Sequence, residues 1–388
     1  MTREAVYGAS VQGFAERWLP ELERSAEGGD GAGDFVCSPV GMWLALASVA
    51  AGARGETADE LRELLGVAGP GAARAVTDGA RALAGTDALG VATRVWSRVP
   101  VYREYREALP DIGFGPMDPA AADAWVREAT DGMIERLPVV ITPDTLLLLV
   151  NALVLRTRWE SPFEGAGTSD AAFTDAAGVE HQVPTMRRPV GAGDAWAVDG
   201  VGADAAARST ARSEARVVAR VVEMRGAARA GGAAPVRVRF VLGEPGAGPA
   251  AVLPLAWAPR ARRSAIDAEQ VTMALPRLAL RTRTDATDQL AALGVRWSMS
   301  DAADFSGMSP ERLAISQVVQ EAVVRIAELG VEAAAVTAVP MAPGGAYRPR
   351  RIERVAFDRP FGVVVLDGAG EVPLFAAWQA GCPGGPGV

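Results

Sequence analysis

Histidine is almost absent from this chain: among 388 residues there is one, His181. A Ser-His-Asp or Cys-His hydrolase needs an imidazole as its base. His181 instead sits in a polar stretch, Gly-Val-Glu-His-Gln-Val, that reads as a surface turn or strand end. No Gly-x-Ser-x-Gly elbow, phosphate-binding loop or His/Cys cluster accompanies it, and no local carboxylate pair stands out. The chain therefore does not read as an enzyme, and it asks for no metal and no cofactor. Cysteine is also scarce. Cys37 and Cys382 are too few for a disulfide framework or a metal set, and the sequence leaves open whether they pair or stay free. Lysine is missing altogether, all 39 basic residues being arginine, which is read as a matter of composition rather than function. The one basic cluster, Arg260, Arg262 and Arg263, lies beside prolines and reads as a solvated loop.

Two further absences bound the setting. A net charge of −8 argues against a nucleic-acid or anionic-membrane partner. No uninterrupted apolar run reaches the ~18–20 residues of a membrane span. Met1-Thr-Arg-Glu leads straight into a helix-like pattern (Val11, Phe14, Trp18), without the basic start and apolar centre of a secretory signal. The expectation is a cytoplasmic monomer, with release to the extracellular space left open.

What is present is apolar bulk, 49% of residues, enough for a sizeable core. Ser38-Pro39 opens a helix, serine capping and proline filling the first position. Residues 40–51 are almost wholly apolar, so this helix should be buried on all sides. Thr57-Ala-Asp-Glu60 has the form of a capping box. Trp125, Val126 and Ile134 predict an amphipathic helix ended by Pro138. Leu146 to Leu155 predicts a central strand buried on both faces, with Asn151 in its middle. A buried amide costs ~1–3 kcal/mol unless paired, so Asn151 should belong to an internal polar network. Arg156 and Trp159 close that strand. Residues 198–215 read as irregular surface, and 216–223 with 236–242 as a strand pair. Residues 271–280 read as an edge or bulged strand, because Pro276 lies inside them. Residues 354–366 and 371–378 read as a closing hairpin around Asp367-Gly368. With no internal repeat or long linker, residues 1–388 read as one α+β domain.

The most informative stretch is Glu328 to Val339. Gly330 supplies a joint. If the segment after it became a strand, Val331, Ala333, Ala335 and Thr337 would line one face. Glu332, Ala334, Val336 and Ala338 would line the other, so the only charge falls on the face that can stay in solvent. A Pro/Gly/Arg-rich stretch follows. This is an exposed loop built to enter a sheet.

These blocks, in this order, resemble the serpin family over nearly the whole chain. Ser38-Pro39 with Gly52-Ala-Arg-Gly-Glu-Thr looks like the family's first buried helix and its exit turn. Trp125-Val, Thr130-Asp-Gly, Leu149-Val-Asn-Ala152 and Trp159 look like the helix that crosses the main sheet and the strand after it. Leu275-Pro-Arg, Leu293-Gly294 and Ala303-Asp-Phe-Ser-Gly-Met308 match further blocks. Ile315-Ser-Gln-Val-Val, Glu328 to Thr337, and Phe357-Asp-Arg-Pro-Phe361 resemble the strand, the hinge and the segment after the reactive loop. Residues of about 190–260 carry little of the likeness.

The resemblance implies a fold of three β-sheets with about nine helices and an exposed reactive-centre loop, about 330–356. It implies a suicide inhibitor of serine proteases: the loop is cleaved, an acyl-enzyme forms, and the hinge inserts into the main sheet, dragging the protease with it. The hinge would be Glu328, Gly330, Val331, Glu332, Ala333, Ala334, Ala335, Val336 and Thr337. Ser38, Asn151 and Gln320 would lie beneath the sheet-opening region, and Trp159 near the point where insertion begins. Gln320 stands where the family usually has histidine, and glutamine can also donate and accept hydrogen bonds. Val331 stands where threonine or serine is usual. The loop is also longer than usual and holds Pro340 and Pro343, which cannot donate to a ladder. Insertion should then stop near Val339, ~30 Å of strand from Val331, leaving a slack tether and a substrate-like side reaction. Counting forward from Glu328 puts the reactive bond at Gly344-Gly345, and counting back from Pro360 puts it near Pro349. Tyr347-Arg348 would suit a chymotrypsin- or subtilisin-like partner, and Arg350 or Arg351 a trypsin-like one. Arg348 itself precedes proline, and Tyr347 is favoured. The alternative is a non-inhibitory binding or scaffold protein of the same fold, whose loop is cleaved without trapping.

Overall fold

A computed structural model describes residues 3–27, 33–86, 89–137, 139–155, 157–200, 216–228, 234–331 and 351–384. In α1 (Arg3–Glu27) the residues Val11, Phe14, Trp18 and Leu22 recur every three or four positions and are all buried, the stripe by which a helix covers a core. β1 (Phe35–Cys37) runs into Ser38, whose hydroxyl accepts from Gly41 N at 3.1 Å and caps α2 (Pro39–Ala50). As expected, α2 is buried almost throughout. α3 (Gly55–Leu65) departs from expectation: Thr57 and Glu60 form no capping box. Thr57 Oγ1 accepts from Asp304 N, and the Glu60 carboxylate takes the backbone N–H groups of Arg296, Trp297 and Ser298 in a distant turn. After α4 (Gly69–Ala84), β2 (Leu89–Ser97), α5 (Arg103–Ala108) and β3 (Gly113–Pro116) comes α6 (Pro119–Ala129). The helix expected to run on to Pro138 stops at Ala129, because Asp131 (φ 48°) and Gly132 (φ 79°) turn the chain. Residues 130–137 return beside α6 as a tail, held where Leu137 N meets Asp123 Oδ1 at 2.9 Å.

The remaining strands are β4 (Leu147–Leu155), β5 (Thr157–Arg158), β6 (Ser169–Thr174), β7 (Glu180–Val190), β8 (Ala195–Asp199), β9 (Val217–Arg225), β10 (Arg237–Gly243), β11 (Arg263–Ala265), β12 (Gln270–Pro276), β13 (Leu278–Asp285), β14 (Val319–Ala327), β15 (Gly330–Val331), β16 (Ile352–Ala356), β17 (Phe361–Leu366) and β18 (Pro373–Gln379). Helices α7 (Pro249–Val252) and α8 (Thr287–Ala292) complete eight among the described residues, against about nine expected. A seven-stranded sheet runs β1-β18-β17-β10-β9-β8-β11. Its central strands β17 and β18 are buried at every residue, with α1 and α2 against β18 and α7 against β17. The expected strand pair 216–223 and 236–242 is β9 with β10. Of the arginine cluster read as a solvated loop, Arg260 is exposed as expected, but Arg262 and Arg263 are held by the fold. Arg262 donates twice to Asp199 O, Arg263 donates twice to Ala258 O, and Arg263 stacks on Trp196 at 4.9 Å.

A four-stranded sheet runs β16-β12-β7-β6, and it corrects two expectations. Residues 271–280 are two strands in different sheets. β12 lies inside its sheet and ends at Pro276, and β13 starts afresh in another. Likewise 354–366 divides into β16 here and β17 in the larger sheet, so only β17 and β18 form the hairpin. Cys37 is buried and Cys382 exposed, both as free thiols.

The main sheet is parted. One piece runs β13-β14-β15-β5 and the other β3-β2-β4, so four sheets stand where three were expected. The strand expected to be central and buried on both faces, β4, is an edge strand here, half-buried over much of its length. The cause lies at the upper end. β15 is wedged between β14 and β5, and a wedged strand sets its neighbours two interstrand spacings apart, ~10 Å. Below it, β14 and β4 face each other without pairing among the described residues.

Candidate functional site

The space between those two edges is a slot of about 380 Å³, floored by α2 and roofed by α6 and its tail. Three groups of residues define it.

At the upper end Gly330 pairs with Ala327 on one side and Arg158 on the other, and Val331 with Ile326 and Thr157. A Cβ on residue 330 would lie 2.1 Å from Thr157 O, so only glycine lets the backbones approach this closely. The Val331 side chain is buried at 3% exposure. Trp159 fixes the turn just before it: its backbone N–H donates to Leu329 O at 2.9 Å and its Nε1 to Ala327 O at 3.0 Å. The Glu328 carboxylate accepts from Thr168 Oγ1 and Arg277 Nε, both at 2.9 Å. Burial alone would push that carboxyl up. Hydrogen bonds from Arg277, its own N–H and Thr168, with the Arg277 charge, outweigh burial and hold it below its ordinary value.

In the middle, Ser38 and Gln320 clasp reciprocally: Ser38 N donates to Gln320 Oε1 at 2.7 Å, and Gln320 Nε2 donates to Ser38 O at 2.9 Å. The glutamine thus ties β14 to the start of α2. Ser38 Oγ also donates to Leu374 O at 2.7 Å. Asn151, the only asparagine in the chain, donates to Thr93 Oγ1 at 2.7 Å, but its Oδ1 is buried without a partner. It is not hydrogen-bonded to Ser38 or Gln320. It meets Ser38 over Gly41, where an added Cβ would lie 3.0 Å from both Asn151 Oδ1 and Ser38 Oγ. The lower end is apolar, with Leu147, Leu149, Phe305, Met308 and Ile315 below Val126 and Ile134 of the roof.

Glu332, Ala333, Ala334, Ala335, Val336 and Thr337, and the bond candidates Gly344, Tyr347, Arg348 and Arg350, lie outside the described residues. Arg351 is described and is tied down. It pairs with Asp267 at 2.7 Å, and its carbonyl accepts from Glu269 and Gln270 N as β16 begins, which presents its bond poorly to a protease. His181 lies on β7, half-buried, with Nε2 2.7 Å from Asp175 Oδ2. Sequence reasoning missed Arg277 and Thr168 as partners of Glu328. The only signal for Arg277 was its place in the Leu275-Pro-Arg block.

Comparison with known proteins places the chain in a family. The profile of the serpin (serine protease inhibitor) family matches residues 10–193 and 255–378. Alpha-2-antiplasmin of Bos taurus is 26% identical over 358 residues, 88% of this chain and 66% of that protein's length. The structure superposes on cleaved Serpin 42Da with a TM-score of 0.77 at 20% identity, covering 98% of this chain and 100% of that one. It superposes on human thyroxine-binding globulin with thyroxine at 0.74 and 19%, covering 98% and 99%. Likeness at that identity speaks for the fold, and the profile match speaks for descent: the chain belongs to the serpin family.

Proposed function

We propose that this chain inhibits serine proteases by trapping them. The protease cleaves within residues 332–350, forms an acyl-enzyme, and is carried off as the hinge fills the slot. The observation that supports this is the pair of unpaired edges, β4 and β14, with Gly330 and Val331 already seated at their upper end. Each step down the ladder moves the hinge one residue on and both neighbours one residue back. Ala333 is then expected against Val324 and Leu155, Ala335 against Ala322 and Leu153, and Thr337 against Gln320 and Asn151. Val324, Ala322 and Leu155 are buried, so the small residues of the hinge would fall on the core side. Thr337 would bring a hydroxyl to the orphaned oxygen of Asn151. Pro340 would fall against Gln317 and Leu148, where a missing N–H ends clean pairing.

Tyr347 as the reactive residue makes the partner chymotrypsin- or subtilisin-like; Arg350 would make it trypsin-like. The protein would act as a monomer, in the cytoplasm, without a cofactor. Among the described residues no helix is long and apolar enough to cross a membrane. The test is incubation with subtilisin, chymotrypsin and trypsin separately, read on a denaturing gel. A band at the summed mass of protein and protease is expected. Clipped protein with fully recovered protease activity would overturn the reading. The second reading, a non-inhibitory binding protein, draws on Pro340 and Pro343 and on the likeness to thyroxine-binding globulin. It predicts cleavage without trapping and without a gain in thermal stability.

A further inference from the structure

We propose that the lower end of the slot is a binding pocket for an apolar carboxylate, a free medium-chain fatty acid, and that the inserted hinge leaves this pocket open. That the pocket outlasts insertion rests on the trapping function; that it takes the ligand does not.

The two ends of the slot differ in what their walls offer a strand. Down to Asn151 and Gln320 both walls are strand, β4 and β14. β14, however, begins only at Val319. Below that point its side of the slot is irregular chain tied elsewhere: Ile315 N donates to Ser298 O at 2.8 Å, and Val318 N to Thr287 Oγ1 at 3.0 Å. In the register set by Gly330 and Val331, Pro340 would fall against Gln317 and Leu148, at this same level. The loop thus loses a donor where the wall loses its ladder. Yet the slot continues downwards, with Leu146 and Leu147 on one side and Leu313 and Ile315 on the other.

This lower end is fixed by bonds that do not depend on the slot being filled. Gly307 N donates to Gly52 O at 3.0 Å, and Tyr102 N donates to Met308 O at 2.9 Å. A Cβ at Gly52 would lie 2.7 Å from Met308 Cβ, so the two backbones are pressed together. Phe305 and Met308, which line the slot here, are buried by this packing. On the other wall Arg98 N donates to Leu146 O at 2.8 Å, and Arg98 Nε to Thr145 O at 3.0 Å. The walls are pre-formed, and little ordering opposes a ligand that enters.

Charge selects the head group. Three charged residues line the slot: Asp144, Arg312 and Glu321. Glu321 is bonded to Arg281 at 2.7 Å. Arg312 is exposed at the rim of the lower end, and its guanidinium makes no hydrogen bond or ion pair among the described residues. Asp144 is the one acid on this rim, and it lies beside Thr145, whose carbonyl holds Arg98. Two cations to one acid favour an anionic head. A carboxylate pairs with Arg312 while its alkyl chain runs inward along Leu147, Leu313 and Ile315 to Phe305 and Met308.

The test is isothermal titration calorimetry with octanoate, decanoate and dodecanoate below their micelle concentrations, on the full chain before and after loop cleavage. Each buried methylene is expected to tighten binding roughly fourfold until the pocket is full. Decanol and decylamine should bind about two- to fivefold more weakly than decanoate, as suits one exposed ion pair. Arg312→Gln should abolish that preference and leave decanol unchanged. Ile315→Trp, at a half-buried position, should abolish binding of every ligand, with an unchanged melting temperature reporting an intact fold. Absence of saturable binding, affinity that ignores chain length, or full binding by Ile315→Trp would each overturn the pocket. A preference for decanoate that survives Arg312→Gln would overturn the head-group assignment. Clipped protein whose raised melting temperature shows the hinge seated should bind within about twofold of the uncleaved protein. Loss of the ligand at that stage would mean that the loop itself fills the lower end, and would overturn the pocket's survival. If clipping raises no melting temperature and no protease is trapped, the inhibitory reading fails, while titration of the uncleaved protein still decides the pocket.

Discussion

At the scale of single residues, two side chains, Glu328 and Asn151, and one missing side chain, at Gly330, shape the slot. Glu328 sits below its ordinary pKa because Arg277 and Thr168 bond its ionised form. A carboxyl lowered in the folded state stabilises it above the unfolded pKa, and that contribution fades as pH falls through the folded value. The uncleaved protein should therefore lose stability as pH drops below about 4.5, the ordinary value of this group, and Glu328→Gln should remove that share of the loss. Urea midpoints measured across pH 6 to 3 check this; parallel curves for the two proteins would refute it. Gly330→Ala would place a methyl carbon 2.1 Å from Thr157 O. Overpacking of this order costs ~1–3 kcal/mol, so the hinge should leave the slot. The amide of residue 331 should then lose its protection from hydrogen exchange. Asn151 holds one bond and one unmet acceptor in the uncleaved state. Asn151→Ala should thus cost the uncleaved protein ~1 kcal/mol and the cleaved protein more, because only there would Thr337 reach the amide. Melting temperatures before and after loop cleavage give both numbers.

At the scale of elements, what the sequence could and could not disclose divides by range. The buried helix α2 and the pair β9 and β10 were legible, because their causes are local: a serine cap, a proline, a run of apolar residues, an alternation. The small residues after Gly330 form an equally local pattern, but residues 332–337 lie outside the described residues. Pro276 was misread because alternation continues straight through it. Only the tertiary fold shows that β12 and β13 part company there. Thr57 and Glu60 carry a capping pattern, yet both side chains are claimed by residues more than two hundred positions away. The apolar composition of β4 describes a strand paired on both sides, and its half-burial here reflects the empty slot beside it. Pro340 belongs to this scale as well. On the proposed trapping function, Pro340→Ala with Pro343→Ala should let the ladder extend past Val339, shorten the free tether, and lower the number of inhibitor molecules consumed per protease trapped. An unchanged ratio would mean that tether length does not limit trapping.

At the scale of the whole molecule, the proposed function makes the slot a place that the chain would fill from its own sequence. The slot is partly open and lined largely by apolar side chains, so a strand seated in it would bury them and pair both free edges. Cleavage in the loop should therefore raise the melting temperature by roughly 10 °C or more, as calorimetry of intact and clipped protein would show. A fall or no change would leave the strand uninserted and favour the binding-protein reading.

The two thiols give this chain a built-in stopwatch. Cys382 is exposed, while Cys37 is wholly enclosed, one residue before the Ser38–Gln320 clasp, and burial pushes its thiol far from ionisation. A thiol-reactive dye should consume Cys382 within its own mixing kinetics and wait for Cys37. The lag between the first and second equivalents then times the breathing of the molecule at the very point where the floor of the slot is clasped to its wall.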